Sequence, residues 1–207
     1  MKIFDNFDII IIFIIIYLSC TIISEEFHNG TIKNLLTKPH SRIKILLSKI
    51  LTNILIIILT ITFLLIFQYI LGGLLFGFES YSLEAIRYNH FSQSIETMNL
   101  LQYMLTVALA KLPMYLLLSC ISLLFGIITN NIALNILISL GLYIISTIKF
   151  LINNITQYLF IYHWDISKYL FTTDILIKQS IVISSISLLL IFSLLMIIFE
   201  NKDIKNI

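Results

Sequence analysis

Apolar residues in this chain come in long unbroken runs rather than alternating with polar ones, and short polar passages separate the runs. Runs this long, apolar on every side, read as helices in contact with lipid. The first, Ile9 to Ile23, is about 15 residues, shorter than the roughly 20 a helix needs to cross the hydrocarbon. It reaches across if the helix starts near Phe4 and the bilayer thins locally. The second, Ile50 to Phe78, carries no charge and closes on Gly72, Gly73 and Gly77. Gly73 and Gly77 stand at the GxxxG spacing that lets membrane helices approach closely; the plainer reading is that they loosen the end of the span. The third run, Leu100 to Ile128, is interrupted by Lys111 and Pro113. The better division starts its membrane helix at Leu112, with Pro113 in the first turn, where a missing N–H costs nothing. Leu100 to Ala110 then becomes an external helix at the interface. The pattern predicts an all-α, polytopic membrane protein, a single domain over residues 1–207 with about five spans at 9–23, 50–78, 112–128, 132–152 and 175–199.

The polar passages set the expected orientation. Ser24 to Lys49 holds Lys33, Lys38, Arg42, Lys44 and Lys49 against Glu25 and Glu26. A basic block in a short loop beside a span marks the inner side of a membrane. Glu79 to Asn99 is poor in Lys and Arg, and Asn153 to Asp174 is rich in Tyr158, Tyr162, Trp164 and Tyr169, whose amphipathic rings favour the headgroup level. Both fit the outer side. Thr129, Asn130 and Asn131 make a short inner turn, and Lys202 and Lys205 lie in the tail. The expected topology is N-out and C-in.

Composition agrees and excludes other classes. Mean hydropathy is +1.02, with 59% hydrophobic and 12% charged residues. So much apolar surface does not fit inside a soluble core of 207 residues. The net charge of +2 and the scattered basic residues give no nucleic-acid footprint. Cys20 and Cys120 sit inside apolar runs, where they behave as small hydrophobes. Asp5 and Asp8 argue against a signal peptide. The Ile-, Asn- and Lys-rich usage fits an AT-rich bacterial genome, so the expected location is a bacterial plasma membrane, crossed several times. No phosphate loop of the GxxxxGK type followed by Ser or Thr is present, nor HExxH. His28, His40, His90 and His163 fall in polar passages and read as solvated rather than metal-bound. Neither a catalytic residue nor a cofactor or metal is expected. Glu25 and Glu26 resemble the paired glutamates of intramembrane CAAX-type proteases, but Asn29 and Gly30 follow where that family has its Arg.

The basic passage carries a more specific resemblance. Glu25 and Glu26, then Gly30-Thr31, the apolar-basic stretch Ile32-Lys33-Asn34-Leu35-Leu36, Pro39, Ser41-Arg42 and Lys49 stand in the order of the hallmark loop of ABC type-2 exporter permeases. The turn after Leu124-Phe125-Gly126 is similar to that family's later inner turn. The resemblance covers nearly the whole chain from Ile9 onward and is most specific in the loop. It implies a transmembrane permease subunit with a cytoplasmic amphipathic coupling helix. A separate cytoplasmic ATPase subunit would dock there, with a homo- or heterodimer of permease subunits in membrane lipid. The expected cargo is an antimicrobial peptide, an antibiotic or a lipid. The family usually has six spans with the loop after the second; here it follows the first, as in a permease lacking its first membrane helix.

The loop's own pattern supports a helix. Ile32, Leu35 and Leu36 share one face and Lys33 and Asn34 the other; Pro39 and Ser41 stop it. Such a helix either docks a cytosolic protein or rests on anionic lipid as an anchor. A non-transporting anchor or sensor that recruits a partner through Ser24 to Lys49 is the alternative function. Gly30 is expected to allow a sharp turn into the loop helix, and Glu26 to lie near that helix's N-terminus. Lys111 has two readings: a contact in a translocation path, as charges within a bilayer often are, or an outer-boundary lysine whose ammonium reaches water.

Overall fold

The computed structural model describes residues 3–32, 41–76, 84–89, 94–147, 163–168 and 174–202. In hydrocarbon a backbone N–H or C=O finds no water, so an apolar run satisfies its own polar groups by coiling into a helix. Helix α1 spans Ile3–His28, α2 Arg42–Phe76, α3 Leu100–Thr129, α4 Ile132–Thr147 and α5 Asp174–Asn201. Four of them, α1, α2, α3 and α5, are long and apolar enough to cross a membrane. At 35 residues α2 is about 52 Å long, more than the roughly 30 Å of hydrocarbon, so its ends project beyond it. The described part of α4, 16 residues, is about 24 Å long. This is an α-helical, multi-pass membrane protein. Outside the membrane helices stands one element that the periodicity did not predict, an antiparallel hairpin of β1 (Glu84–Asn89) and β2 (Ser94–Asn99) whose register sets Arg87 opposite Glu96.

The first helix begins at Ile3, beside the start near Phe4 that lets it reach across, and this gives α1 the length that its apolar run lacks. One boundary departs from expectation. The third helix does not divide at Leu112: α3 is continuous, with Pro113 in its interior. An interior proline forfeits one backbone hydrogen bond and costs roughly 3 kcal/mol. Breaking the helix within an apolar run would leave several polar groups unsatisfied, so one lost bond is the smaller cost.

Helix α3 is the centre of the bundle. Of its most apolar stretch 61% is buried, against 44% for α1 and 17% for α2 and for α5. Helices α1, α4 and α5 pack directly on α3, and α2 lies against α1, α3 and α5. One core cluster joins Ile12, Ile15 and Ile16 of α1 to Tyr115, Leu117 and Leu118 of α3, with Trp164 inserted from the 163–168 turn. A second joins Ile23 and Phe27 to Leu46, Leu123, Ile127, Leu195 and Phe199. Where α1 crosses α3, Gly126 lets the backbones approach closely: a Cβ there would lie 2.8 Å from Ser24 Oγ and 3.0 Å from Asn135 Nδ2.

Candidate functional site

Five helix ends meet at one end of the bundle: the C-termini of α1, α3 and α5 and the N-termini of α2 and α4. The C-terminal ends expose carbonyls with no partner in their own helix and carry the negative end of the helix dipole. Basic side chains satisfy them.

Helix α1 ends on Gly30, which takes a left-handed φ of 67°. Asn29 N donates to Glu25 O at 2.8 Å and Gly30 N to Phe27 O at 3.3 Å, closing the last turn. Nothing lies within 4 Å of a Cβ built there, so glycine is needed for backbone conformation and not for space. Thr31 Oγ1 donates to Glu26 O at 3.4 Å. Ile32 is buried against the second core cluster, and Glu25 is exposed. Glu26 lies in the last turn of α1, because that helix continues to His28, and there it forms an ion pair with Lys49 of α2; the loop helix whose N-terminus it is expected to lie near falls outside the described residues. The lysine offsets a carboxylate set at the unfavourable end of a dipole. Leu35, Leu36 and Pro39, and with them the expected coupling helix, lie outside the described residues.

Arg42 opens α2 and reaches across to the last helix. Its Nη1 donates to Glu200 O at 2.8 Å and Lys202 O at 3.1 Å, capping α5. Lys202 in turn caps α3: Nζ donates to Ile127 O and, at 2.5 Å, to Asn130 Oδ1, and lies 4.2 Å from the Phe27 ring centroid of α1. Burial lowers the Lys202 ammonium below the ordinary lysine value. The α3–α4 turn is built by two asparagines with opposite tasks. Asn130, at φ 51°, ends α3, and Asn131 Oδ1 accepts from Ala133 N at 3.0 Å and Leu134 N at 3.4 Å to start α4.

Behind this end runs a buried polar seam. Asn135 Nδ2 donates to Ser24 Oγ at 3.0 Å and to Ser122 O at 2.9 Å, and Ser122 and Ser139 hydroxyls meet at 3.1 Å. Ser19 Oγ donates to Asn53 Oδ1 at 2.7 Å, tying α1 to α2. Sequence reasoning missed both pairings and the role of Lys202. The available signal was the isolated asparagine in an otherwise apolar run, which marks a helix–helix contact.

At the opposite end the structure changes two readings. Lys111 is 2% exposed, on the α3 face that also buries Val107 and Tyr115, so it is not an outer-boundary lysine facing lipid. With α3 continuous, position 111 lies within the helix and turns toward the bundle. His163 is also buried, 3.3 Å from Ser180 Oγ of α5, and not solvated. Its neighbour Trp164 plugs the first core cluster and draws the turn inward, where Asp165 Oδ1 accepts from Ser167 N at 3.1 Å.

Residues 2–205 match the family described as protein of unknown function (DUF2705). The chain belongs to the DUF2705 family. The DUF2705 chain is also 24% identical, over 212 residues, to the uncharacterized protein YhcI of Bacillus subtilis (strain 168), a match covering 97% of this chain and 67% of that protein. No solved structure matches it. Within this DUF2705 chain side-chain contacts tie together the end where five helices meet: Arg42 bonds to α5, Lys202 bonds to α3 and lies on the Phe27 ring of α1, and Lys49 pairs with Glu26 of α1.

Proposed function

We propose that the chain is the membrane-spanning permease subunit of an ABC exporter, with its basic end in the cytoplasm. A separate ATPase subunit binds the Ser24 to Lys49 loop, and the chain works as a homo- or heterodimer of permease subunits. The observation that carries the reading is the loop pattern from Glu25 through Gly30-Thr31 and Pro39 to Arg42. The wiring of that loop supports it. Its two flanks, Glu26 and Arg42, are bonded to α2 and α5, and the α5 tail is bonded to α3. A push delivered to the loop by an ATPase that closes on ATP therefore reaches α1, α2, α3 and α5 together, and the bundle rocks as a unit between openings to either side. Cargo of the peptide, antibiotic or lipid class and a path past Lys111 belong to the same proposal.

The test is affinity purification of the tagged chain from its native membranes, with identification of a co-purifying subunit that carries an ATP-binding phosphate loop. Val at position 30 is strained at φ 67°, by roughly 1–3 kcal/mol, and redirects the chain into the loop. Glu26→Lys sets a cation against Lys49. Both should abolish ATPase association while the protein still inserts. Undiminished co-purification of the ATPase in both variants refutes the proposal.

A further inference from the structure

At the end opposite the basic cluster, non-helical chain enters the bundle. The 163–168 turn sends Trp164 into the first core cluster, among Ile11 to Cys20 of α1 and Met114 to Ile121 of α3, all inside apolar spans. Irregular backbone at membrane depth is tolerated only where protein buries it or where it lines water. His163 and Asp165 are drawn in and buried with the tryptophan, and Ile166–Lys168 packs on α3 and α5. Asp165 Oδ1 accepts from Ser167 N at 3.1 Å and Ser167 Oγ at 2.5 Å, which braces the turn as a unit. Ser180 of α5 gives its own proton to Leu176 O at 2.7 Å, so its oxygen receives the one on His163 Nδ1, 3.3 Å away. That bond fastens the turn to α5, and the tryptophan fastens it to the core.

Behind the turn the helices are polar first and apolar further in. The buried face of α5 carries Ser180, Ser184 and Ser187 in its first half and Leu195 and Phe199 in its second. Lys111 of α3 is buried at the level of Ser184: each lies about 24 Å along its helix from the contacts at Ile127 O and Glu200 O. Ser184 Oγ donates to Ile181 O at 3.0 Å and Ser187 Oγ to Ser184 O at 2.8 Å, so these serines are satisfied within α5. They part from α3 without losing those bonds. Burying hydroxyls and a lysine costs desolvation that apolar residues of like size avoid. A surface that meets water part of the time has a use for them.

We propose that the 163–168 turn is a withdrawable plug: seated, Trp164 seals a polar crevice between α3 and α5, and withdrawn, it admits water past Ser180 to Ser184 and Lys111, as far as the apolar cluster around Leu195 and Phe199. The experiment places the full chain, with Cys20 and Cys120 replaced, in lipid nanodiscs that leave both faces open to solvent. It follows labelling of Ser184→Cys by a charged, water-soluble methanethiosulfonate. With Trp164 in place labelling should be slow. Trp164→Ala should speed it roughly a hundredfold, the factor that the packing of a buried tryptophan supplies. Ser180→Ala, which removes only the acceptor for His163, should speed it about fivefold, the worth of one net hydrogen bond. Leu195→Cys, beyond the crevice, should stay unlabelled in every background. If Trp164→Ala fails to fold, Ser180→Ala decides alone. Neither an ATPase nor cargo enters the measurement, so its failure is distinct from a failure of the permease reading. Rapid labelling of Ser184→Cys in the otherwise unchanged chain, a rate that neither substitution alters, or labelling of Leu195→Cys alongside Ser184→Cys would each overturn the proposal.

Discussion

Adding one methyl group at Gly126 should unfasten α1 from α3. The new Cβ would stand 2.8 Å from Ser24 Oγ and 3.0 Å from Asn135 Nδ2, where nonbonded contacts involving carbon prefer about 3.5–4.0 Å. Ser24 has little room to withdraw, because its Oγ accepts from Asn135 Nδ2. Overpacking of this kind costs about 1–3 kcal/mol, and losing the buried hydrogen bond adds about 1 kcal/mol. The better helix propensity of Ala returns about 1 kcal/mol. Gly126→Ala should therefore destabilise the protein by about 1–3 kcal/mol. Ser24→Ala alone should cost about 1 kcal/mol, since Asn135 keeps its bond to Ser122 O. Together the two changes should be less harmful than their sum by about 1–2 kcal/mol, because the contact at 2.8 Å disappears. The single tryptophan, Trp164, is buried and reports unfolding in a detergent titration by its fluorescence. A Gly126→Ala protein as stable as wild type, or strict additivity in the cycle, would show that Ser24 and Gly126 are not in contact.

Other outcomes follow from the two ends of the bundle. Arg42→Ala uncaps α5 and should lower the melting temperature and raise amide exchange around Glu200, with Arg42→Lys restoring only part because a point charge cannot bridge two carbonyls as well. Because burial lowers the Lys202 ammonium, the folded state holds that proton less firmly than the unfolded state. The folded state should thus gain stability as pH rises toward 10.5, relative to Lys202→Met, in parallel thermal scans. Cysteines at Asn34 and Glu84, with Cys20 and Cys120 replaced, should react with an impermeant thiol reagent from opposite sides of the membrane; reaction of both on intact cells rejects the topology. A cysteine at position 111 should resist a water-soluble thiol reagent until the protein is unfolded, and rapid labelling from outside would place that position at the boundary after all.

The membrane helices were legible because apolar run length decides them, and the Asn130-Asn131 turn was legible because two asparagines between apolar runs have few other uses. The division of α3 was misread at Pro113 because the start of a helix is the cheapest place for a proline only when the alternative ends in water; in lipid the helix runs through. Which face of α3 turns inward was not legible, since a helix apolar all round has no amphipathic stripe to point with, and the burial of Lys111 depends on that face. His163 reads as solvated because its stretch is polar, whereas Trp164 beside it packs into the first core cluster and His163 is buried with it. At the basic end the residue types were recognisable and their partners were not. Glu26 and Lys49 are 23 positions apart and Arg42 and Glu200 are 158 apart, and no local pattern encodes such pairings.

That last separation has a consequence in time. A ribosome adding about 5–20 residues per second takes roughly 8–30 s to travel the 158 positions from Arg42 to Glu200. Throughout that interval the guanidinium at the head of α2 has no carbonyls of α5 to hold, and the end of α3 waits for Lys202. The basic end thus closes only once position 202 has been made, so a nascent chain stalled before position 200 has the apolar runs of α1 to α4 in place and lacks the Arg42 and Lys202 contacts that tie them to α5.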